Sequence, residues 1–141
     1  MKNETLNINV IKTGNCSSRS GLSQLTYQIG QGPESEIHFR IHGNTGKGFF
    51  NDEWLLLDTL LNLLKEAGSG FTSYAFHPLL KGRSNNTSAF LMAALLKENV
   101  VMASTKHKRC YHMGNVEAFY DAIKPLLSAV KVPKKKPVEV D

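Results

Sequence analysis

The side chains best able to do chemistry lie on one face of two predicted strands. Residues 23–29 and 36–42 both alternate between apolar and polar side chains, which is typical of a strand with one buried face. Amides, a hydroxyl and cations on one sheet surface suit single-stranded nucleic acid, because phosphates need positive charge and splayed bases need amide edges. The low acidic content of this surface favours binding over an ordinary solvated face. The polar positions are Gln24, Thr26, Gln28, His38, Arg40 and His42.

Further cations fall in predicted turns that would flank the sheets. Such side chains could contact phosphates along the path of a strand. Lysines in turns also protect the edges of sheets and keep a protein soluble, so both interpretations stay open. These residues are Lys47, Lys81, Arg83, Lys106, Lys108 and Arg109.

Aromatic side chains near the same elements are candidates for stacking with bases. The residues that could serve in this way are Phe49, Phe50, Tyr74 and Phe76, although most such residues belong to a core. Phe49, Phe50 and Trp54 stand between a predicted strand and a predicted helix. We therefore expect those three to form the seam between sheet and helix.

Patterns that would indicate an enzyme are weak. His38 and His42 share a strand face, but no nearby carboxylate completes a metal-ligand set. The segment 43–48 is rich in glycine but lacks the spacing of a phosphate-binding loop, so it is predicted to be a hairpin turn. We expect no catalytic site, no metal and no cofactor.

The charge and the amino terminus narrow the class of protein. The 141 residues carry a formal net charge of +5, and the sequence pI is about 9.3, which favours an anionic partner. The first residues have no apolar stretch of a signal peptide, and no run is long enough to span a membrane. These features predict a cytoplasmic protein without membrane contact.

The first half of the chain predicts four strands followed by a helix. The strands cover residues 6–10, 23–29, 36–42 and 46–50, with a loop at residues 15–21. Asn51 is predicted to cap a helix that Asp52 and Glu53 stabilise at its amino end. One side of this helix is apolar at Trp54, Leu57, Leu60, Leu61 and Leu64.

The second half contains one segment that periodicity cannot assign. Residues 90–96 are all apolar, so intrinsic propensity favours a helix for residues 87–96, while the hairpin turn predicted at residues 97–99 favours a strand. Taking the strand gives strands at residues 71–76, 87–96, 100–103 and 110–113. Asn115 is then predicted to cap a final helix that contains Pro125.

The resulting fold class is α+β, with two strand-strand-strand-strand-helix units. Each unit is predicted to form a curved antiparallel sheet packed on its helix. Residues 1–129 form one domain of two similar halves, about 5–67 and 71–129, and residues 130–141 form a flexible basic tail. The tail includes four lysines and could add a phosphate contact that salt weakens.

One part of the chain resembles the positive-cofactor-four family of transcriptional coactivators. The resemblance rests on the segments 27–30, 36–40 and 46–49, and on Glu53 and Trp54 with the leucines behind them. It implies a curved four-stranded sheet with a helix, pairing as a dimer to bind single-stranded or melted DNA. The tandem arrangement is closer to Whirly proteins and PUR repeats, whose implied ligands are also single strands.

The sequence thus predicts a non-enzymatic protein that binds single-stranded DNA or RNA with little sequence preference. The alternative is a protein-interaction module that docks a partner through a strand edge or a helix face, without nucleic-acid contact. The chain also resembles small proteins of bacterial mobile elements, so such a module could belong to one of these or to a regulatory complex.

Overall fold

A meander of four antiparallel strands forms the larger of two sheets in the computed structural model. The structure describes residues 8–18, 21–46, 50–68, 70–80, 85–107 and 109–131. Within these ranges the fold is α+β, as predicted, with a four-stranded sheet, a two-stranded sheet and three α-helices. The sheet order is β1 (Asn9–Ser17), β2 (Gln24–Gln31), β3 (Ile37–Asn44) and β4 (Leu55–Leu56).

The predicted alternation of β2 and β3 is confirmed. Every second side chain of these strands is buried, and together they form the inner face of the sheet. Both strands extend a little beyond the predicted bounds, since β2 reaches Gln31 and β3 reaches Asn44. The buried positions are Leu25, Tyr27, Ile29, Ile37, Phe39 and Ile41.

The first strand lies later in the chain than predicted. It begins at Asn9 and continues to Ser17, so part of the predicted loop at residues 15–21 is strand. Antiparallel pairing with β2 accounts for this, because residues 15–17 each face a β2 residue across the ladder. Residues 1–7 lie outside the described part of the chain.

The fourth strand and the start of the first helix were both predicted too early. The described fourth strand is β4, which pairs with β3 at His38 and Phe39, and residues 47–49 of the predicted strand lie outside the described residues. Helix α1 (Leu57–Ala67) follows β4 directly. Asn51 does not cap it, because its Oδ1 accepts a hydrogen bond from the backbone N–H of Glu53 at 2.8 Å. This local turn keeps residues 51–54 out of the helix.

The apolar side of α1 is confirmed from Leu57 onward. Leu57, Leu60 and Leu64 are fully buried, and Leu61 is nearly so. This stripe packs α1 against β3 and β4.

The second half is not a second strand-strand-strand-strand-helix unit. A short 3₁₀ helix (Ser73–Phe76) replaces most of the strand predicted at residues 71–76. Helix α2 (Asn85–Lys97) replaces the strand predicted at residues 87–96. A small ribbon of β5 (Val101–Ala103) and β6 (Tyr111–Met113) follows, and then α3 (Val116–Lys131).

Helix α2 is buried on every side, which explains why its sequence shows no amphipathic period. Five consecutive residues from Leu91 to Leu95 are almost inaccessible to solvent. The helix contacts β1 and β3 on one side and the 3₁₀ helix and β5 on the other. A helix enclosed in this way needs no polar face, so its helical propensity was the more informative signal.

The predicted final helix is confirmed together with its cap. The backbone N–H of Ala118 donates to Asn115 Oδ1 at 2.9 Å, as expected for an asparagine N-cap. Helix α3 includes Val130 and Lys131, so the predicted tail begins within a helix. Residues 132–141 lie outside the described chain. None of the helices in the described ranges has both the length and the apolar character that crossing a lipid bilayer requires.

A buried polar cluster fastens the end of α2 to the inner face of the sheet. Tyr27 donates its phenolic proton to Glu98 Oε2, and Lys12 Nζ lies 2.9 Å from the same oxygen and 3.1 Å from Glu98 Oε1. Only 7% of the Glu98 side chain is exposed. Gly14 lies opposite Tyr27, where a Cβ atom would collide with the tyrosine ring. The absence of that atom lets the ring reach Glu98.

We predict that Tyr27→Phe lowers the free energy of unfolding by about 1–3 kcal/mol at neutral pH, because Glu98 loses a buried donor. Burial and the Glu98 hydrogen bond raise the pKa of Tyr27 above its ordinary value. The folded state therefore holds the phenolic proton more tightly than the unfolded state, and stability should fall as pH rises above about 10. Tyr27→Phe should reduce this alkaline loss, as measured by urea unfolding across pH.

Tyr74→Phe is the matched control, because Tyr74 is 70% exposed. It should leave both the neutral stability and the alkaline loss unchanged. Equal alkaline profiles for wild type and Tyr27→Phe would contradict the role assigned to the Tyr27–Glu98 bond.

Candidate nucleic-acid interface

The outer face of the sheet is the surface of β1, β2 and β3 that points away from the helices. Its side chains alternate with the buried ones, so they come from every second residue of each strand. Three cross-strand hydrogen bonds join β2 to β1 on this face. They link Gln24 Nε2 to Ser17 Oγ at 2.9 Å, Thr26 Oγ1 to Asn15 Oδ1 at 3.0 Å, and Gln28 Nε2 to Thr13 Oγ1 at 3.3 Å.

Arg40 is the fixed cation of the outer face. Its Nε and Nη2 atoms donate to Gln28 Oε1 at 3.0 Å and 2.8 Å. The guanidinium carbon lies 4.4 Å from the ring centroid of Trp54, so the two planes form a cation–π contact. Two hydrogen bonds to one acceptor and a ring contact hold the guanidinium in one place. Its remaining N–H groups are the ones suited to an incoming anion.

Trp54 lies on the outer face of the sheet and not in the seam between sheet and helix. It is half-buried, and its ring approaches Gly30 so closely that a Cβ atom there would lie 2.9 Å from Trp54 Cη2. Ile8 approaches the same glycine. The predicted seam position of Trp54 was therefore wrong, because residues 51–54 run outside the helix. The exposed part of the Trp54 ring is an aromatic surface beside the Arg40 guanidinium.

His38 lies on the predicted face but is covered. Only 7% of its surface is exposed, its ring meets Trp54 edge-on at 6.5 Å between centroids, and its Nε2 atom lies 3.1 Å from Glu36 Oε2. The Glu36 carboxylate is partly buried, which acts to raise its pKa, but the bonds from His38 and from backbone amides hold the pKa below its ordinary value. Because Trp54 covers His38, a ligand on the outer face would contact the Trp54 ring and not the His38 imidazole.

His42 occupies an irregular point of the sheet. The register between β2 and β3 shifts there, because Tyr27 pairs with Ile41 and Thr26 pairs with Gly43. His42 is thus the extra residue of a bulge and is exposed. The structure brings Gln24, Thr26, Gln28 and Arg40 together as predicted, with His42 at the end of β3.

The cations predicted in turns are not part of the outer face where the structure describes them. Lys106 and Arg109 are exposed in the connection between β5 and β6. That ribbon packs with α2 on the helical side of the sheet. Lys47, Lys81, Arg83 and Lys108 lie outside the described residues. Of the lysines and arginines predicted to bind, the described residues place Arg40 alone on the outer face, and the Glu36 carboxylate lies beside His38 on the same face.

The sequence held one signal that could have placed Trp54 correctly. Gly30 follows directly after the strand predicted at residues 23–29, but it lies within β2. A glycine inside a strand often marks a place where another group approaches the backbone closely. Here that group is the Trp54 ring. Among the described residues, no three side chains of the metal-binding types come together.

We predict that Gly30→Ala displaces both Ile8 and Trp54, because the new methyl carbon would collide with Ile8 Cγ2 and lie 2.9 Å from Trp54 Cη2. Overpacking of this kind costs about 1–3 kcal/mol. Trp54 is the single tryptophan of the chain, so intrinsic fluorescence reports on it directly, and its emission should move to longer wavelength as the ring gains solvent.

The matched control is Gly43→Ala on the same face of the sheet. A Cβ atom at Gly43 would meet Thr26 Cβ at 3.5 Å, which is an ordinary contact. This variant should keep the wild-type emission. An unchanged spectrum for Gly30→Ala would show that Trp54 does not rest on Gly30.

Comparison with known proteins adds no relative to this geometry: no family model, no curated protein and no solved structure matches the chain. The resemblance to the positive-cofactor-four family therefore stays a prediction. The account of the site depends on the contacts of Arg40, Gln28 and Trp54 themselves.

Proposed function

We propose that the protein binds single-stranded nucleic acid on the outer face of its sheet, without catalysing a reaction. The observation that carries the proposal is the stacked pair of Arg40 and Trp54, fixed by Gln28 on an otherwise polar sheet surface. A phosphate would meet the guanidinium, and a neighbouring base would stack on the free part of the indole ring or on the guanidinium plane.

Fixed groups favour this mode of binding over a loose electrostatic contact. The rotational freedom of Arg40 is already restricted by Gln28 and Trp54, so less entropy is lost when a strand binds. A single cation makes a small contribution alone, while stacking contributes about 1–3 kcal/mol per base. The pair combines both contributions at one point of the sheet.

The same face explains why we expect little sequence preference. The polar groups of Gln24, Thr26 and Gln28 already take part in hydrogen bonds between strands. These groups keep the surface regular and are not free to recognise one base over another. Stacking and phosphate contacts tolerate every base, and they are shared by DNA and RNA.

The order of elements in the first half of the chain is one that supports the proposal. Strands β1 to β4 form a meander, and α1 follows them directly. This order is the one that the resemblance to the positive-cofactor-four and Whirly classes implies. Pairing of two chains as a homodimer would join two such faces into a longer track. We place this activity in the cytoplasm, and residues 132–141 would add further phosphate contacts.

A protein-interaction module is the second candidate, and the edge of the sheet favours it. Strand β1 has nine residues and lies at the edge of the four-stranded sheet. An extended segment of a partner could add to such an edge through backbone hydrogen bonds. Val10, which is 45% exposed, would supply an apolar contact there. This candidate predicts binding that does not involve Arg40 or Trp54.

We predict that a labelled oligothymidine binds the full chain, as measured by fluorescence anisotropy, and that affinity falls with rising salt. The double variant Arg40→Ala with Lys47→Ala should weaken binding at least about tenfold, since two phosphate contacts are lost. Trp54→Ala should weaken binding by about 1–3 kcal/mol through lost stacking.

The control variant combines Lys65→Ala with Lys124→Ala, which removes the same charge from exposed positions of α1 and α3. It should retain the wild-type affinity, and circular dichroism should show that all variants stay folded. Equal weakening by both double variants would indicate a diffuse charge effect. Absence of binding even at low salt would reject the proposal and favour the interaction module.

A further inference from the structure

A pocket lies on the helical side of the molecule, away from the outer face of the sheet. It has the features of a small-molecule binding site. It lies between the 3₁₀ helix, α2 and β6, and its volume is about 340 Å³. This volume is within the range of small-molecule sites in proteins. Helix α2 packs on the inner face of the sheet, so the sheet separates the pocket from Arg40.

The lining of the pocket is apolar below and polar at one side. Ala89 of α2 lies at its floor, and Tyr74, which is 70% exposed, contributes aromatic surface at its wall. Met92 and Tyr111 also line it but are buried. An exposed aromatic ring beside an apolar floor accommodates flat apolar ligands. The floor and walls therefore suit a planar hydrophobic body.

Arg109 supplies the charge of the pocket, and its backbone is unusual. Its φ angle is 67°, in the left-handed region that favours glycine or asparagine. An arginine at such a position costs free energy that a glycine would not. No carboxylate is among the described residues that line the pocket. Arg109 is exposed, and it is the cation among the described residues that line the pocket.

Hydroxyl groups complete the polar side. Thr72 Oγ1 accepts a hydrogen bond from the backbone N–H of Tyr74 at 3.2 Å, which fixes the start of the 3₁₀ helix. A hydroxyl that accepts in this way still has its own proton to donate. Thr72 and its neighbour Ser73 can therefore donate to an acceptor held by Arg109.

We propose that this pocket binds a small organic anion with a flat apolar body and one carboxylate, sulfonate or phosphate group. The body lies on Ala89 beside the Tyr74 ring, and the anionic group pairs with Arg109. This site is distinct from the proposed nucleic-acid interface, and the proposal does not depend on that function.

The test uses 8-anilinonaphthalene-1-sulfonate, an aromatic sulfonate whose fluorescence increases in an apolar site. Titration of the full chain should show saturable binding of one molecule per chain. Arg109→Gly should weaken this binding at least about tenfold, because a charge-assisted hydrogen bond is lost. Glycine accepts the φ angle of 67° without strain, so this variant should fold at least as well as the wild type.

Two further variants separate the pocket from general surface binding. Lys106→Ala removes the same charge from an exposed position of the same connection, outside the pocket lining, and should leave the affinity unchanged. Ala89→Leu fills the floor and should weaken binding while Arg109 stays in place. Unchanged affinity in Arg109→Gly, or a titration that does not saturate, would overturn the proposal.

Discussion

The contact of Glu98 with Tyr27 and Lys12 joins the two layers of this protein, and much of the structure depends on it. Glu98 follows the last turn of α2, and its buried carboxylate receives a proton donor from β2 and a cation from β1. A buried carboxylate is costly unless such partners satisfy it. Because the Glu98 carboxylate must reach both partners, its contacts fix the position of α2 along the sheet and the direction of the Tyr27 ring.

Once α2 is fixed, the two sides of the sheet take different roles. The inner face carries the core, in which Phe39 contacts Phe119 of α3 with 5.8 Å between ring centroids. The outer face has no helix over it in the described chain, so its side chains must satisfy one another. They do so through cross-strand hydrogen bonds and through the single ring of Trp54. A sheet face organised in this way is polar and partly exposed.

The sequence predicted helices and strands correctly where one side of the element is exposed to solvent. Alternation predicted β2 and β3, the leucine spacing predicted the buried side of α1, and Asn115 predicted the start of α3. It was misleading for α2, because a helix buried on all sides has no period to detect. The predicted repeat of two similar units needed a strand at residues 87–96. Because α2 occupies those residues, the prediction of a repeat was wrong.

The site was predictable in part for a similar reason. Arg40 and Gln28 lie on the expected face, since strand periodicity fixes the side of each residue. The place of Trp54 depends on the side chain of Asn51, which forms a local turn with Glu53 instead of capping α1. Two uses of asparagine look alike in sequence, and only the tertiary contact of Trp54 with Gly30 distinguishes them.

Amide chemical-shift mapping by NMR tests the central claim most directly. Unlabelled oligothymidine would be added to ¹⁵N-labelled protein, with the Trp54 indole N–H as an internal reporter. We expect the largest shifts at Trp54 and along β2 and β3, with α2 unaffected because the inner face shields it. Shifts confined to the helices, or to the free edge of β1, would contradict binding on the outer face.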